Sequence, residues 1–143
     1  MSIQPPPIYE KLAGEDGKAL LPWVLFMNQI FSGDSGTDWT PAFVNLTEVG
    51  GSATITGRYY KLSQYLTYFR VSITPVTNTS AVAESTYISN YPLTFSGDGI
   101  CFAVRGGAGT NSGHIVSSNN RIYVPEWTTV TAPIHIIGIG EAR

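Results

Sequence analysis

Gly33-Asp34-Ser35-Gly36 spells a tetrapeptide known around serine-protease nucleophiles. A serine used that way needs a histidine base within hydrogen-bond reach and an acid to orient the base. The two histidines, His114 and His135, both follow the serine, and 143 residues are too few for a two-barrel protease. A Gly/Asp/Ser linker accounts for the same letters. Glycan hydrolysis would need two carboxylates about 5–10 Å apart, and the spacing of Glu84, Asp98 and Glu126, all in or beside expected turns, picks out no pair. Gly106-Gly107-Ala108-Gly109 lacks the lysine and following helix of a phosphate loop. The single cysteine, Cys101 between Ile100 and Phe102, reads as a small buried apolar residue. His135, set among Ile134, Ile136 and Ile137, reads as a strand residue facing solvent or a neighbouring chain. The sequence therefore assigns no catalytic residue, no metal and no cofactor, and the expectation is a protein that is not an enzyme.

Aromatic side chains are the stronger signal. Tyr59, Tyr60, Tyr65, Tyr68, Tyr87, Tyr91, Tyr123 and Trp127 combine large apolar faces with a polar atom, which suits sheet cores, protein interfaces and the stacking of sugar rings. About half are expected in the core. Tyr87, Tyr91 and Trp127, near expected loop ends, are candidate surface residues.

What positions these residues follows from composition and period. Eight Lys and Arg against ten Asp and Glu give a net charge of -2, and the scattered cations argue against a nucleic-acid partner. With one cysteine and 43% hydrophobic residues, a core rather than disulfides must hold the fold. Charged residues make up 13%, about half the usual ~25%. A surface so poor in charge points to cover by copies or partners, although Thr-rich strands lower the charge as well. No apolar run reaches the ~20 residues of a membrane span. The start, Met1-Ser2-Ile3-Gln4, lacks the basic and apolar regions of a signal peptide, so synthesis in the cytoplasm is expected, without membrane insertion.

Residues 1–38 read differently from the rest. Pro5, Pro6 and Pro7 remove three backbone donors and favour an extended arm, continued by Ile8 and Tyr9. Pro22–Phe31 is the best helix candidate, with Trp23, Phe26, Met27, Ile30 and Phe31 forming an apolar stripe. A helix of ~10 residues is marginal unless that stripe is docked. From Trp39 the period changes from 3.6 to 2. Strands are expected at 53–56, 58–62, 66–74, 86–89, 100–105, 114–117, 121–124 and 134–139. Phe69, Val71 and Ile73 alternate with Arg70, Ser72 and Thr74, the pattern of a half-buried strand. About eight strands with frequent turns and no helix between them predict an all-β domain over 39–143, an antiparallel β-sandwich or jelly roll, preceded by the Pro-rich arm and one short helix.

Gln4-Pro5-Pro6-Pro7, the aromatic segment Trp23–Phe31, Trp39-Thr40-Pro41, and the pair 54–62 and 66–71 with its Gly-x-Tyr-Tyr and Tyr-Phe-x-Val letters resemble small structural proteins of tailed bacteriophage virions. The resemblance extends over nearly the whole chain in organisation, on loose patterns. It implies a non-enzymatic virion component, commonly a homotrimer, whose arm and helix (Pro5, Pro6, Pro7, Ile8, Tyr9, Trp23, Phe26, Met27, Ile30, Phe31) anchor it to other virion proteins of tail or capsid. A tail-fibre-type appendage would meet a host surface glycan or receptor, with Tyr91, Asp98, Asn111 and Trp127 as candidate contacts. The alternatives are a capsid decoration or cement protein, and a carbohydrate-binding module.

Overall fold

A computed structural model describes residues 36–105 and 108–143, with the side chains of 105 and 108–111 outside the description. The strands are β1 Thr37–Trp39, β2 Phe43–Val44, β3 Thr47–Val49, β4 Thr54–Lys61, β5 Leu66–Thr74, β6 Asn78–Ala81, β7 Tyr87–Ile88, β8 Gly99–Arg105, β9 Ala108–Val116, β10 Arg121–Tyr123, β11 Trp127–Val130 and β12 Ile134–Glu141. One 3-10 turn covers Ser117–Asn119. Nine strands form a curled sheet in the order β1-β4-β5-β12-β8-β9-β10-β7-β2, and β11-β6-β3 form a second. The pairings are antiparallel throughout. The expected all-β antiparallel sandwich is the architecture found.

β5 has the bounds that its alternation predicts. Phe69, Val71 and Ile73 point inward and are fully buried, as are Ile134 and Ile136 of β12 and Cys101 and Ala103 of β8. Ala81, Trp127 and Val130 of the small sheet join the same core, so the two sheets close on one apolar layer. At one end of it Tyr91 stacks on Phe95 at 4.6 Å between ring centroids and meets Trp39, Phe69 and Tyr59 at 5.3, 5.4 and 5.9 Å. Phe69 lies so close to β12 that a Cβ at Gly138 would run into its ring, so the strand is glycine there for space. Gly50 and Gly51, at φ 84° and 132°, make the turn into β4 in conformations that side chains resist.

Among the described residues the strands number twelve rather than about eight, for identifiable reasons. The expected strands 53–56 and 58–62 are one, β4, continuous through Gly57, which lies under Pro41 and Trp39. Asn78-Thr79, expected as a turn, opens β6, whose inward residues are Thr79 and Ala81. Ala108 and Gly109, expected in a loop, begin β9. Thr37 and Asp38, assigned to the N-terminal linker, belong to the β domain, where they pair with Tyr59 and Arg58. The arm and helix residues Pro5, Pro6, Pro7, Ile8, Tyr9, Trp23, Phe26, Met27, Ile30 and Phe31, and Ser35, lie outside the described residues. Among the described residues no helix is long and apolar enough to cross a membrane.

Candidate interaction surface

Strand parity sets the outer face of the large sheet. With Phe69, Val71, Ile134, Ile136, Cys101 and Ala103 committed inward, Tyr68, Arg70 and Ser72 of β5, His135, Ile137, Ile139 and Glu141 of β12, and Ile100, Phe102 and Val104 of β8 must face outward. The register aligns them. Tyr60 pairs with Tyr68, Tyr68 with Ile139, Ile139 with Ile100, and Ile100 with His114. The row continues from His114 to Tyr123, Tyr87 and Val44. One belt of aromatic and aliphatic side chains thus crosses eight strands. In the adjacent row Arg58, Arg70, Ile137 and Phe102 are neighbours in turn.

The middle of this face is open. Leu66, Ile100, Ile139 and Phe102 are 37%, 42%, 40% and 44% exposed. Large apolar side chains in neighbouring strands form a contiguous patch, which a monomer seldom leaves uncovered.

Polar groups border it. On the β4 flank Arg58 donates to both carboxylate oxygens of Asp38, at 2.6 and 3.1 Å, and this hydrogen-bonded guanidinium holds the Asp38 carboxyl below the usual range. Next to it His135 Nδ1 lies 2.9 Å from the Ser72 hydroxyl and 3.4 Å from Arg70. At the opposite strand ends Asp98 accepts hydrogen bonds from the backbone N–H and hydroxyl of Ser117, both at 2.9 Å. Those donors hold its carboxyl below the ordinary value. Along the belt His114 stacks on Tyr123 at 5.1 Å, with Glu84 3.6 Å from its Nδ1, and the Arg121 guanidinium sits 4.3 Å over Tyr87.

Two candidate receptor contacts are corrected by burial. Tyr91 is 5% and Trp127 4% exposed. Thr67 Oγ1 donates to the Tyr60 carbonyl at 3.2 Å and lies 2.7 Å from the Tyr91 hydroxyl, which therefore donates to it. Trp127 Nε1 donates to Thr79 Oγ1 at 3.3 Å. Both residues come from segments that read as loop ends, but each satisfies its polar atom inside the protein, which lets the ring stay in the core. Asp98 is exposed and pins the 3-10 turn; Asn111 is on β9, with its side chain outside the description. Tyr87 is half-buried within the belt. His114 and His135 are on different strands and rows, separated by β8. Among the described residues no group of three or more His, Cys, Asp or Glu is placed to hold a metal ion.

The apolar patch was missed in the sequence although its signal was present. Ile136-Ile137 and Ile100-Cys101-Phe102 put apolar residues on both parities of a strand, so that both faces of the sheet are apolar there. A scan against protein-family models finds no match, and searches of curated proteins and of solved structures find none either.

Burial also has a titration consequence. It pushes the Tyr91 hydroxyl up to about 12 and the buried Cys101 thiol to about 12, above the ordinary values near 10 and 8.5. Each group is held in its neutral form, so its share of stability is complete below the unfolded value and is lost as pH rises through the folded one. Urea unfolding is expected to show stability falling between about pH 9 and 12, with a smaller fall in Tyr91→Phe. An identical alkaline profile in that variant would remove Tyr91 as a cause.

Proposed function

We propose that the protein is a non-enzymatic structural component of a tailed-phage virion, a homo-oligomeric tail-fibre-type appendage that acts through protein contact. The observation that carries this reading is the exposed apolar patch of Leu66, Ile100, Phe102 and Ile139 in the middle of a large sheet. Such a face suits a module that is packed against other protein for its working life. The kind of particle comes from the resemblance carried by residues 4–7, 23–31, 39–41 and 54–71. In this reading the residues before β1 attach the domain to the particle, and host attachment falls to the projecting β-sandwich.

Cryo-electron microscopy of intact virions tests this directly. Density at the tail supports an appendage; density over capsid subunit junctions replaces it with a decoration protein, and absence from the particle overturns the virion reading. A truncation separates anchor from fold. Among the described residues one core runs from Trp39 to Ala142, and deleting residues 1–31 is expected to leave a folded domain by circular dichroism that no longer co-sediments with particles. Loss of the fold would show that the N-terminal residues complete the core.

A further inference from the structure

We propose that the outer face of β5, β12 and β8 is a self-association surface on which two copies of this chain pack with their strands running in opposite directions. The inference rests on reading this face as a contact surface, and it names the occupant as a second copy. Two observations single out that partner. The first is apolar continuity, since Ile100, Phe102, Ile137 and Ile139 form two adjacent rows across the β12–β8 pair. A side chain from a facing sheet could settle among them.

The second is the distribution of charge along the strands. Glu141, paired with Leu66, stands at one end of the patch, beside Asp98 just before β8. Arg70, paired with Ile137 in the middle of β5, carries positive charge beside the Arg58–Asp38 pair, and His135, paired with Ser72, lies one row further from Glu141. Arg143 is also at the acidic end, with its guanidinium 5.5 Å over the Tyr65 ring, which leaves two carboxylates against one cation there. Glu141 and Ile137, the residue paired with Arg70, are four residues apart on one strand, about 14 Å at ~3.4 Å per residue. A copy laid face to face with its strands reversed brings its acidic end toward the half of the first that carries Arg70, and the reverse contact follows by symmetry. With strands running the same way, like ends would meet. The face thus complements itself under a two-fold axis, the property of an isologous interface.

The experiment uses the full chain. Sedimentation equilibrium is expected to give a two-copy mass for the wild type and for Ile139→Glu a single-copy mass with an unchanged circular dichroism spectrum. Glu141→Arg places like charges at both ends of the face, as does Arg70→Glu with the opposite sign. Each is expected to weaken self-association about tenfold or more, whereas a 1:1 mixture of the two is expected to associate as tightly as the wild type. That rescue is the decisive result, because an unfolded variant could not give it. A single-copy wild type, charge variants that associate normally, no rescue on mixing, or a three-copy mass would each overturn the two-fold pairing. A single-copy protein still found on virions leaves the virion role standing, without its homo-oligomeric part and without this inference. A two-copy protein absent from virions does the reverse.

Discussion

Phe69→Ala is expected to cost about 3–5 kcal/mol of folding free energy, the usual range for emptying a fully buried phenylalanine site. Its ring has 0% exposure and touches the aromatic cluster through Trp39, at 6.5 Å, and Tyr91. It also covers the backbone at Gly138, which has no side chain to refill the space. Because a domain of this size holds only ~5–15 kcal/mol in total, urea denaturation should show a large fall in midpoint. Thr74→Ala, at an exposed position of the same strand, is expected to change it by less than about 0.5 kcal/mol. Equal effects at the two positions would mean that the buried face of β5 has been assigned wrongly.

Trp127→Ala should be nearly as damaging, again by about 3–5 kcal/mol, because the indole joins the small sheet to the shared core and Thr79 would lose its buried partner. Trp127→Phe keeps most of the apolar volume and removes the N–H, so about 1 kcal/mol is expected. A surface contact would behave in the opposite way. Normal stability in Trp127→Ala would return this residue to the list of binding candidates.

The sequence disclosed the parts of the fold where side-chain alternation is uninterrupted and hid those where it is not. Phe69, Val71 and Ile73 mark β5 unmistakably because Arg70, Ser72 and Thr74 separate them. β12 runs two residues past the expected end, since Gly138 and Gly140 occupy inward positions with nothing to register in a pattern of hydrophobicity. In β11 the buried residues are Trp127 and Val130, three apart. Thr129 at φ 44° and a shift of register between them break the period of two. β3 is exposed along its whole length and gives no apolar signal.

The candidate surface was legible only in part. A charge-poor composition pointed to a covered exterior, but not to its place. That required knowing that β12 and β8 are neighbours, although their facing residues Ile137 and Phe102 are thirty-five positions apart in sequence. Tyr91 and Trp127 illustrate the opposite difficulty. Proximity to a turn says where the backbone goes, whereas burial depends on whether the polar atom finds a partner, and Thr67 and Thr79 supply those partners from distant strands.

The outermost strands have a consequence for how copies of this protein can grow together. Among the described residues β1 and β2 flank the large sheet with three and two residues, and β3 and β11 flank the small one with three and four. Edges that short give an incoming strand little to template on, a common protection against sheet extension and amyloid. Growth by edge-to-edge addition is therefore disfavoured, and association is directed to the broad faces. Two-fold face-to-face packing exhausts its own surface once made, so the expected product is a closed particle of fixed size rather than a fibril.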